Sequence, residues 1–222
     1  MVHMNVRERF ELALMGIQHQ LTELSDLSIS ALESAFEALR TRNLELALSV
    51  IEDDMHINRL EEMINDQAIL LITRQQPVAK DLRQLMVIVK AASDMERVAD
   101  YAVDIAKETI RIGENAPEVD LARLSEMNTK TIQMLRASVE AFVARDMIKA
   151  KEVAELDDQI DELYGIAVRE LLELSVNDSS YIKVVSHLSF VSRFLERCAD
   201  HSTNICEYLF YLVKGEHYEL NN

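Results

Sequence analysis

The strongest constraint on this chain is its shortage of turn-forming residues. Only four glycines and two prolines occur in 222 residues. A β-sandwich or a doubly wound sheet needs many tight turns, which are usually made with Gly, Pro, Asn and Asp. Long helices need few turns, so the count favours an all-α protein with about half a dozen connections.

Apolar residues recur every three or four positions along most of the chain, which is the spacing of an amphipathic helix. Asn43 and Asp146 are expected to cap the second and fifth helices, and Gly113 and Gly215 to end the third and sixth. We therefore predict six long helices, over residues 6–40, 43–73, 79–113, 120–144, 146–174 and 181–214.

The sequence also repeats itself. Residues 37–60 match residues 140–163 at nine of 24 positions, with an offset of 103. Residues 96–105 (ERVADYAVDI) match residues 196–205 (ERCADHSTNI) at five of ten positions, with an offset of 100. Helices one to three are thus repeated by helices four to six, which predicts two sequence-related three-helix bundles lying side by side as one unit. The predicted repeats are residues 1–115 and 116–222.

Charge and motif content exclude several classes of protein. The formal net charge is -16, which repels phosphate backbones, so we expect no nucleic-acid partner. The longest stretch without a charged residue, Leu12 to Thr22, is shorter than the roughly 20 residues of a spanning helix, and no apolar signal segment follows the charged N-terminus. The glycines are too widely separated for a phosphate-binding loop.

Two short stripes of oxygen-bearing side chains stand at matched positions of the repeat. Each stripe has the spacing i, i+4 and i+8, which places its members on one face of a helix. The stripes are Glu96, Asp100 and Asp104 in the first half, and Glu196, Asp200 and Asn204 in the second half. Like charges at this spacing cost an isolated helix about 0.2–0.5 kcal/mol per pair, so something should offset the repulsion.

Two explanations of the stripes remain open. Arg97 and Arg197 adjoin them, so they could be ordinary acidic surface faces. A bound metal is the alternative, because carboxylate and amide oxygens bind hard or borderline cations. The repetition favours the metal, and we predict a site in each half for iron, zinc, manganese or magnesium.

Asp54 and Asp157, matched on the preceding helices, are either further ligands or ordinary surface charges. Because Asn204 replaces an acid, the second site is expected to be weaker unless His201 joins it.

These residues resemble the PhoU family of phosphate-signalling proteins. A Glu-x-x-x-Asp motif stands on the third helix of each bundle, and the surrounding segments are also similar to the family. The segments are residues 74–83 (RQQPVAKDLR), 93–100 (SDMERVAD) and 195–201 (LERCADH). The resemblance covers residues 7–213. Tyr101 and Asp104 depart from the family pattern, and His201 and Asn204 follow it.

The resemblance implies a function. It implies a non-enzymatic, cytoplasmic negative regulator of phosphate uptake and of the phosphate-starvation response. In that family the protein is thought to link the ATPase subunit of the phosphate ABC transporter to a PhoR-type sensor kinase, which implies recruitment to the inner face of the membrane. We also expect a homodimer.

Two other functions compete with this interpretation. One is a carboxylate-bridged di-metal enzyme, whose helical bundle would need Glu-x-x-His motifs. The chain has none, and its nearest approach is the single Asp53-x-x-His56. The other is a helical scaffold without a metal, which measured metal content would distinguish from the leading interpretation.

Overall fold

A computed structural model gives the fold, and it describes residues 6–220. These residues form α-helices and one 3₁₀ turn, with no strand in the range described. The elements are α1 (Val6–Thr41), α2 (Leu44–Gln75), α3 (Lys80–Ile112), α4 (Ala122–Ala144), α5 (Met147–Ala154), α6 (Asp157–Asn177), the 3₁₀ turn Ser179–Tyr181 and α7 (Ile182–Lys214). The all-α prediction is confirmed.

The predicted fifth helix is interrupted and forms α5 and α6. At the interruption, hydrogen bonds join residues three apart, from Leu156 N to Val153 O and from Gln159 N to Leu156 O, both at 3.1 Å. Such bonds tighten a helix locally without reversing its direction. The six long helices of the prediction are therefore present, with the fifth overwound at residues 155–156.

Helix ends follow the predicted capping residues. Asn43 accepts a hydrogen bond from Leu46 N at the start of α2, and Asp146 accepts from Ile148 N and Lys149 N at the start of α5. Gly113 and Gly215 close α3 and α7 with positive φ angles of 76° and 86°. These local signals fix the lengths of the helices.

The core is centred on α3 and α7, which cross as an antiparallel pair. α3 packs against α1 and α2, and α7 packs against α4, α5 and α6. Met95 and Val98 of α3 and Leu195 and Cys198 of α7 have no exposed surface. One continuous apolar cluster includes residues of all seven helices, so the two three-helix bundles share a core.

Polar pairs cross the α3–α7 contact. His201 Nδ1 lies 2.5 Å from Asp94 Oδ1, and the Asn204 amide donates to the same oxygen at 3.1 Å. His187 Nδ1 lies 2.5 Å from Glu108 Oε2, farther along the pair. These contacts fix the register of α7 on α3, because buried polar groups need partners.

The predicted boundary between residues 115 and 116 falls in the segment between α3 and α4. The division of the chain into two repeats at that point stays a prediction. Across residues 6–220, no helix is both long and apolar enough to cross a membrane.

Candidate metal centres

In the first half, α2 and α3 bring four carboxyl groups together. We call Asp54, Glu61, Glu96 and Asp100 the first cluster. Burial raises the pKa of Glu96 above its usual value, and the negative charge of Asp100 raises it further. Glu61 and Asp54 act on the pKa of Glu96 in the same direction. Mutual repulsion therefore makes this a site that favours a positive charge.

In the second half, α6 and α7 build a more strongly coupled group. We call Asp157, Asp158, Asp161, Glu196 and Asp200 the second cluster. Asp157 is only 5% exposed, and burial, followed by the charge of Asp200, raises its pKa to about 7. Burial also raises the pKa values of Asp161 and Glu196, and Asp200 is the next cause for both. A group of this kind binds protons or cations in preference to remaining fully ionised.

The two clusters occupy matched positions of the sequence repeat. Their shared pairs are Asp54/Asp157, Glu96/Glu196 and Asp100/Asp200. Asp161 of the second cluster corresponds to Asn58 of the first half. The repeat therefore places three acidic residues at matched positions of both halves. The second cluster has five carboxylates and the first has four, so the second is more negative.

Arginines three residues earlier hold one oxygen of several cluster carboxylates. Arg97 donates to Asp100 Oδ2 and Arg197 donates to Asp200 Oδ2, each at 2.9 Å. Arg193 donates to Glu196 Oε1 at 2.5 Å. These pairs are partly exposed, so they contribute little to stability, but they orient the carboxylates.

Two other oxygens of the clusters, Asp54 Oδ1 and Glu196 Oε2, are buried and have no hydrogen-bond partner among the described residues. The neighbouring Asn58 donates its amide nitrogen to Asp54 Oδ2 at 2.9 Å, and its own amide oxygen is likewise buried without a described partner. An unpaired buried oxygen is costly. The all-oxygen donor set, the excess negative charge and these unsatisfied atoms fit a hard or borderline divalent cation.

The carboxylates of each cluster do not surround a single position at which an ion would be coordinated. Within residues 7–220, no three His, Cys, Asp or Glu side chains already converge with the geometry of a bound metal. Side chains of the clusters would have to rotate to complete the coordination of an ion.

The structure divides the sequence-predicted residues into two groups. Glu96 and Asp100 lie in the first cluster, and Glu196 and Asp200 in the second.

Asp104 and Asn204 lie outside the clusters and have other partners. Asp104 forms an ion pair with Lys107 at 3.1 Å, and the Asn204 amide donates to Asp94 across the α3–α7 contact. His201 also contacts Asp94, and its Nε2 is buried without a described partner. All six residues of the two stripes stay predicted ligands.

Sequence reasoning missed three members of the clusters, Glu61, Asp158 and Asp161. Helical spacing held a signal for two of them. Glu61 is seven residues after Asp54, and Asp161 is four residues after Asp157, so each pair shares a helix face. The motif of the competing di-metal enzyme lies elsewhere, because Asp53 and His56 line a groove between α1 and α2.

Known proteins are similar to this chain in sequence and in fold. The family model named PhoU domain matches residues 21–109 and again residues 124–209. A phosphate-specific transport system accessory protein PhoU homolog from Clostridium acetobutylicum is 34% identical over 217 residues, which cover 97% of this chain and 99% of the relative. The homolog from Aquifex aeolicus is 40% identical over 199 residues, 90% of each chain. PhoU of Escherichia coli is 32% identical over 96% of this chain and 88% of its own.

Solved structures agree in fold. The crystal structure of PhoU from Pseudomonas aeruginosa has a TM-score of 0.89 and 30% identity, covering 93% of this chain and all of the other. The crystal structure of the phosphate transport system regulatory protein PhoU from Streptococcus pneumoniae also has a TM-score of 0.89 and 30% identity. It covers 95% of this chain and 99% of the other.

Proposed function

The chain belongs to the PhoU family, and we propose that it acts in the cytoplasm as a negative regulator of phosphate uptake and of the phosphate-starvation response. The observation that carries this proposal is the end-to-end similarity to proteins named as accessory to phosphate-specific transport. Both halves match the same family domain, so the similarity is not confined to one motif.

The regulator acts as an adaptor and not as an enzyme. Its partners are the ATPase subunit of the phosphate ABC transporter and a PhoR-type sensor kinase, which bring it to the inner face of the membrane. It forms a homodimer. Family resemblance supports these details, and the long helical faces of the bundle offer the surface that an adaptor needs.

A deletion strain tests the regulatory role. In medium with ample phosphate, the strain should take up phosphate faster than the parent and should express starvation genes. Plasmid-borne wild-type chain should restore repression. Unchanged uptake and unchanged starvation-gene expression in the deletion strain would count against the proposed function.

Each acidic cluster holds a metal ion, with iron, zinc, manganese and magnesium as candidates. The proposed ligands are Glu96, Asp100 and Asp104 in the first half, and Glu196, Asp200 and Asn204 in the second half. Asp54 and Asp157 add oxygens from the neighbouring helices. The unpartnered oxygens of Asp54 and Glu196 support this assignment. A bound ion would supply positive charge that offsets the repulsion among the carboxylates and joins α2 to α3 and α6 to α7.

Metal content separates this proposal from a metal-free scaffold. Protein purified without chelators or a histidine tag should contain metal by elemental analysis. The double variant Asp100→Ala/Asp200→Ala should lose it while its helical circular dichroism stays close to wild type. The matched control, Asp53→Ala/Asp66→Ala, removes the same charge from exposed positions of α2 and should keep its metal. Wild-type metal content in the Asp100/Asp200 variant would show that the clusters are ordinary acidic faces.

A further inference from the structure

One end of the molecule gathers segments from three parts of the chain. The connection between α2 and α3 lies there, with the start of α1 and the end of α7. Arg7 of α1 forms an ion pair with Asp81 of α3 at 2.5 Å. The Arg83 guanidinium lies 5.2 Å from the centre of the Tyr211 ring, and it packs so closely on Gly215 that a Cβ there would come within 2.7 Å of it.

This end exposes apolar side chains. Val78, at the tip of the α2–α3 connection, is 76% exposed. Leu82 and Met86 of α3 and Val213 of α7 also expose more than a third of their surface. Apolar groups that stay exposed in several neighbouring segments are typical of an interaction surface.

The same end also carries cations without carboxylate partners. Arg74, Lys80 and Lys214 are exposed, and none forms an ion pair with a described carboxylate. In contrast, Arg97, Arg193 and Arg197 on the central face are all paired with acids. Exposed cations without an ion pair to a described carboxylate occur elsewhere too, for example Arg169 and Lys183, so the three cations named first are distinguished by lying at the same end as the exposed Val78. We call Arg74, Val78, Lys80, Leu82 and Lys214 the basic end.

The backbone of the connection adopts an unfavourable shape. Gln76 has φ 46° and Ala79 has φ 47° with ψ -108°, although neither residue is glycine. Such conformations cost on the order of 1–3 kcal/mol each and often occur where function requires a particular shape. Val78 stands between Gln76 and Ala79 in the chain and is exposed.

We propose that the basic end is the docking surface for a protein partner that presents acidic side chains around an apolar pocket. Val78 is the apolar anchor, and Arg74, Lys80 and Lys214 form its charged rim. Complementary charge steers such a partner, and burial of the anchor holds it. The inference deepens the proposed adaptor role by giving the adaptor a partner-binding surface.

An anionic membrane is a poorer fit to this surface. Each Lys or Arg contributes about 1 kcal/mol at an anionic membrane, so three cations give only weak attachment. A flat bilayer would also face the carboxylates of the same end, including Glu216 and Glu219, and the excess negative charge of the chain. A protein partner contacts only the local patch, because charges more than about 8 Å away are largely screened at physiological salt.

A photo-reactive side chain tests the inference in the full-length chain. p-Benzoylphenylalanine replaces Val78, the protein is expressed in the source organism, and cross-linked products are identified by mass spectrometry. The position control is the same substitution at Val176, which is 85% exposed on α6. We expect a covalent adduct with an identified protein from position 78 and no such adduct from position 176.

Charge reversal completes the test. Arg74→Glu/Lys80→Glu should reduce the adduct at position 78 by about tenfold or more, since the loss of two favourable charge contacts costs at least about 1.4 kcal/mol. The matched control is Arg169→Glu/Lys183→Glu, which makes the same charge change at exposed positions of α6 and α7 and should leave the adduct unchanged. Helical circular dichroism confirms that each variant is folded.

Several outcomes would overturn the inference. These are the absence of a protein adduct at position 78, an adduct with lipid only, an adduct with a second copy of this chain, and equal loss in both charge-reversal variants. An adduct with a protein other than the transporter ATPase or the sensor kinase would support the docking surface and contradict the proposed adaptor partners. A normal deletion phenotype together with a specific adduct at position 78 would contradict the proposed function alone.

Discussion

At the scale of single residues, Asp157 has an unusual position. It begins α6, is almost fully buried, and faces several carboxylates of the second cluster. Burial and these charges raise its pKa to about 7, from 3.8. A carboxyl group with a raised pKa in the folded state binds its proton more tightly than in the unfolded state. Its contribution to stability is therefore lost as the pH rises from about 4 to about 7.

Replacing Asp157 by Asn should remove this pH dependence in the metal-free protein. At pH 8 the variant should be more stable than wild type by about 1 kcal/mol, a rise in Tm of roughly 2–4 °C for a chain of this size. Thermal melts with chelator between pH 5 and 8 measure the effect. Asp158→Asn, at the exposed neighbour, should leave most of the wild-type pH dependence in place. Parallel pH profiles for wild type and Asp157→Asn would contradict the prediction.

The two proposed metal centres should differ in affinity. If only the sequence stripes are compared, the second site is expected to be weaker, because Asn204 stands where the first half has the carboxylate of Asp104. The fold adds Asp158 and Asp161 to the second cluster, whereas the first half has Asn58 at the position of Asp161 and Lys107 close enough to lower the pKa of Asp54. Greater negative charge attracts a cation more strongly, so the structure favours the second cluster as the tighter site.

Single variants measure this order of affinity. Asp200→Ala should abolish the tighter binding phase in a calorimetric titration with Mn²⁺ or Zn²⁺. Asp100→Ala should abolish the weaker phase and leave the tighter one unchanged. An added carboxylate near the ion corresponds to about a tenfold difference in Kd at an effective dielectric constant near that of a protein surface. The reverse assignment of the phases would restore the order expected from the sequence.

At the scale of elements, the strained connection between α2 and α3 stores free energy. Ala79 precedes α3 with φ 47° and ψ -108°, a region that glycine enters without the steric penalty of a Cβ atom. α3 begins without a side-chain cap at this residue, so no capping hydrogen bond offsets the strain.

Ala79→Gly should therefore stabilise the protein. Relief of the positive φ should raise the free energy of unfolding by about 1 kcal/mol, or the Tm by roughly 2–4 °C. Ala13→Gly is the control, because this exposed position lies inside α1 with an ordinary helical conformation. The control should lower stability by about 1 kcal/mol. A fall in Tm for Ala79→Gly would show that the conformation carries no strain.

At the scale of the whole molecule, the two bundles are joined along α3 and α7. The interface contains fully buried apolar residues and two histidine–carboxylate pairs, Asp94–His201 and Glu108–His187. Arg136 of α4 also donates to Glu33 of α1 at 2.9 Å, which adds a contact away from the central pair. Each bundle would therefore expose much of its core if the other unfolded.

The full-length chain should therefore unfold in a single cooperative transition. Differential scanning calorimetry should give one peak whose calorimetric enthalpy equals the van't Hoff enthalpy. Residues 1–115 expressed alone should be less helical or aggregate, because the face of α3 that packs on α7 would meet water. Two separate peaks, or a stable monomeric fragment, would show that the repeats are independent domains.

Local sequence determined the helical framework of this protein. Helix ends depend on residues within one turn, so Asn43, Asp146, Gly113 and Gly215 could be interpreted without knowledge of the rest of the chain. The repeat and the i, i+4 spacing also lie within the sequence, and they correctly placed Glu96 beside Asp100 and Glu196 beside Asp200. The same local reasoning missed the overwound turn between α5 and α6.

Only the tertiary structure decided which side chains of different helices meet. Periodicity gives the face of a helix, but the register between two helices depends on how their buried side chains interlock. That register brings Asp161 of α6 to Asp200 of α7, although they are 39 positions apart. It also turns His201 and Asn204 towards Asp94 of α3. The spacing of one stripe contains no information about the helix that packs against it, which is why these partners could not be read from the sequence.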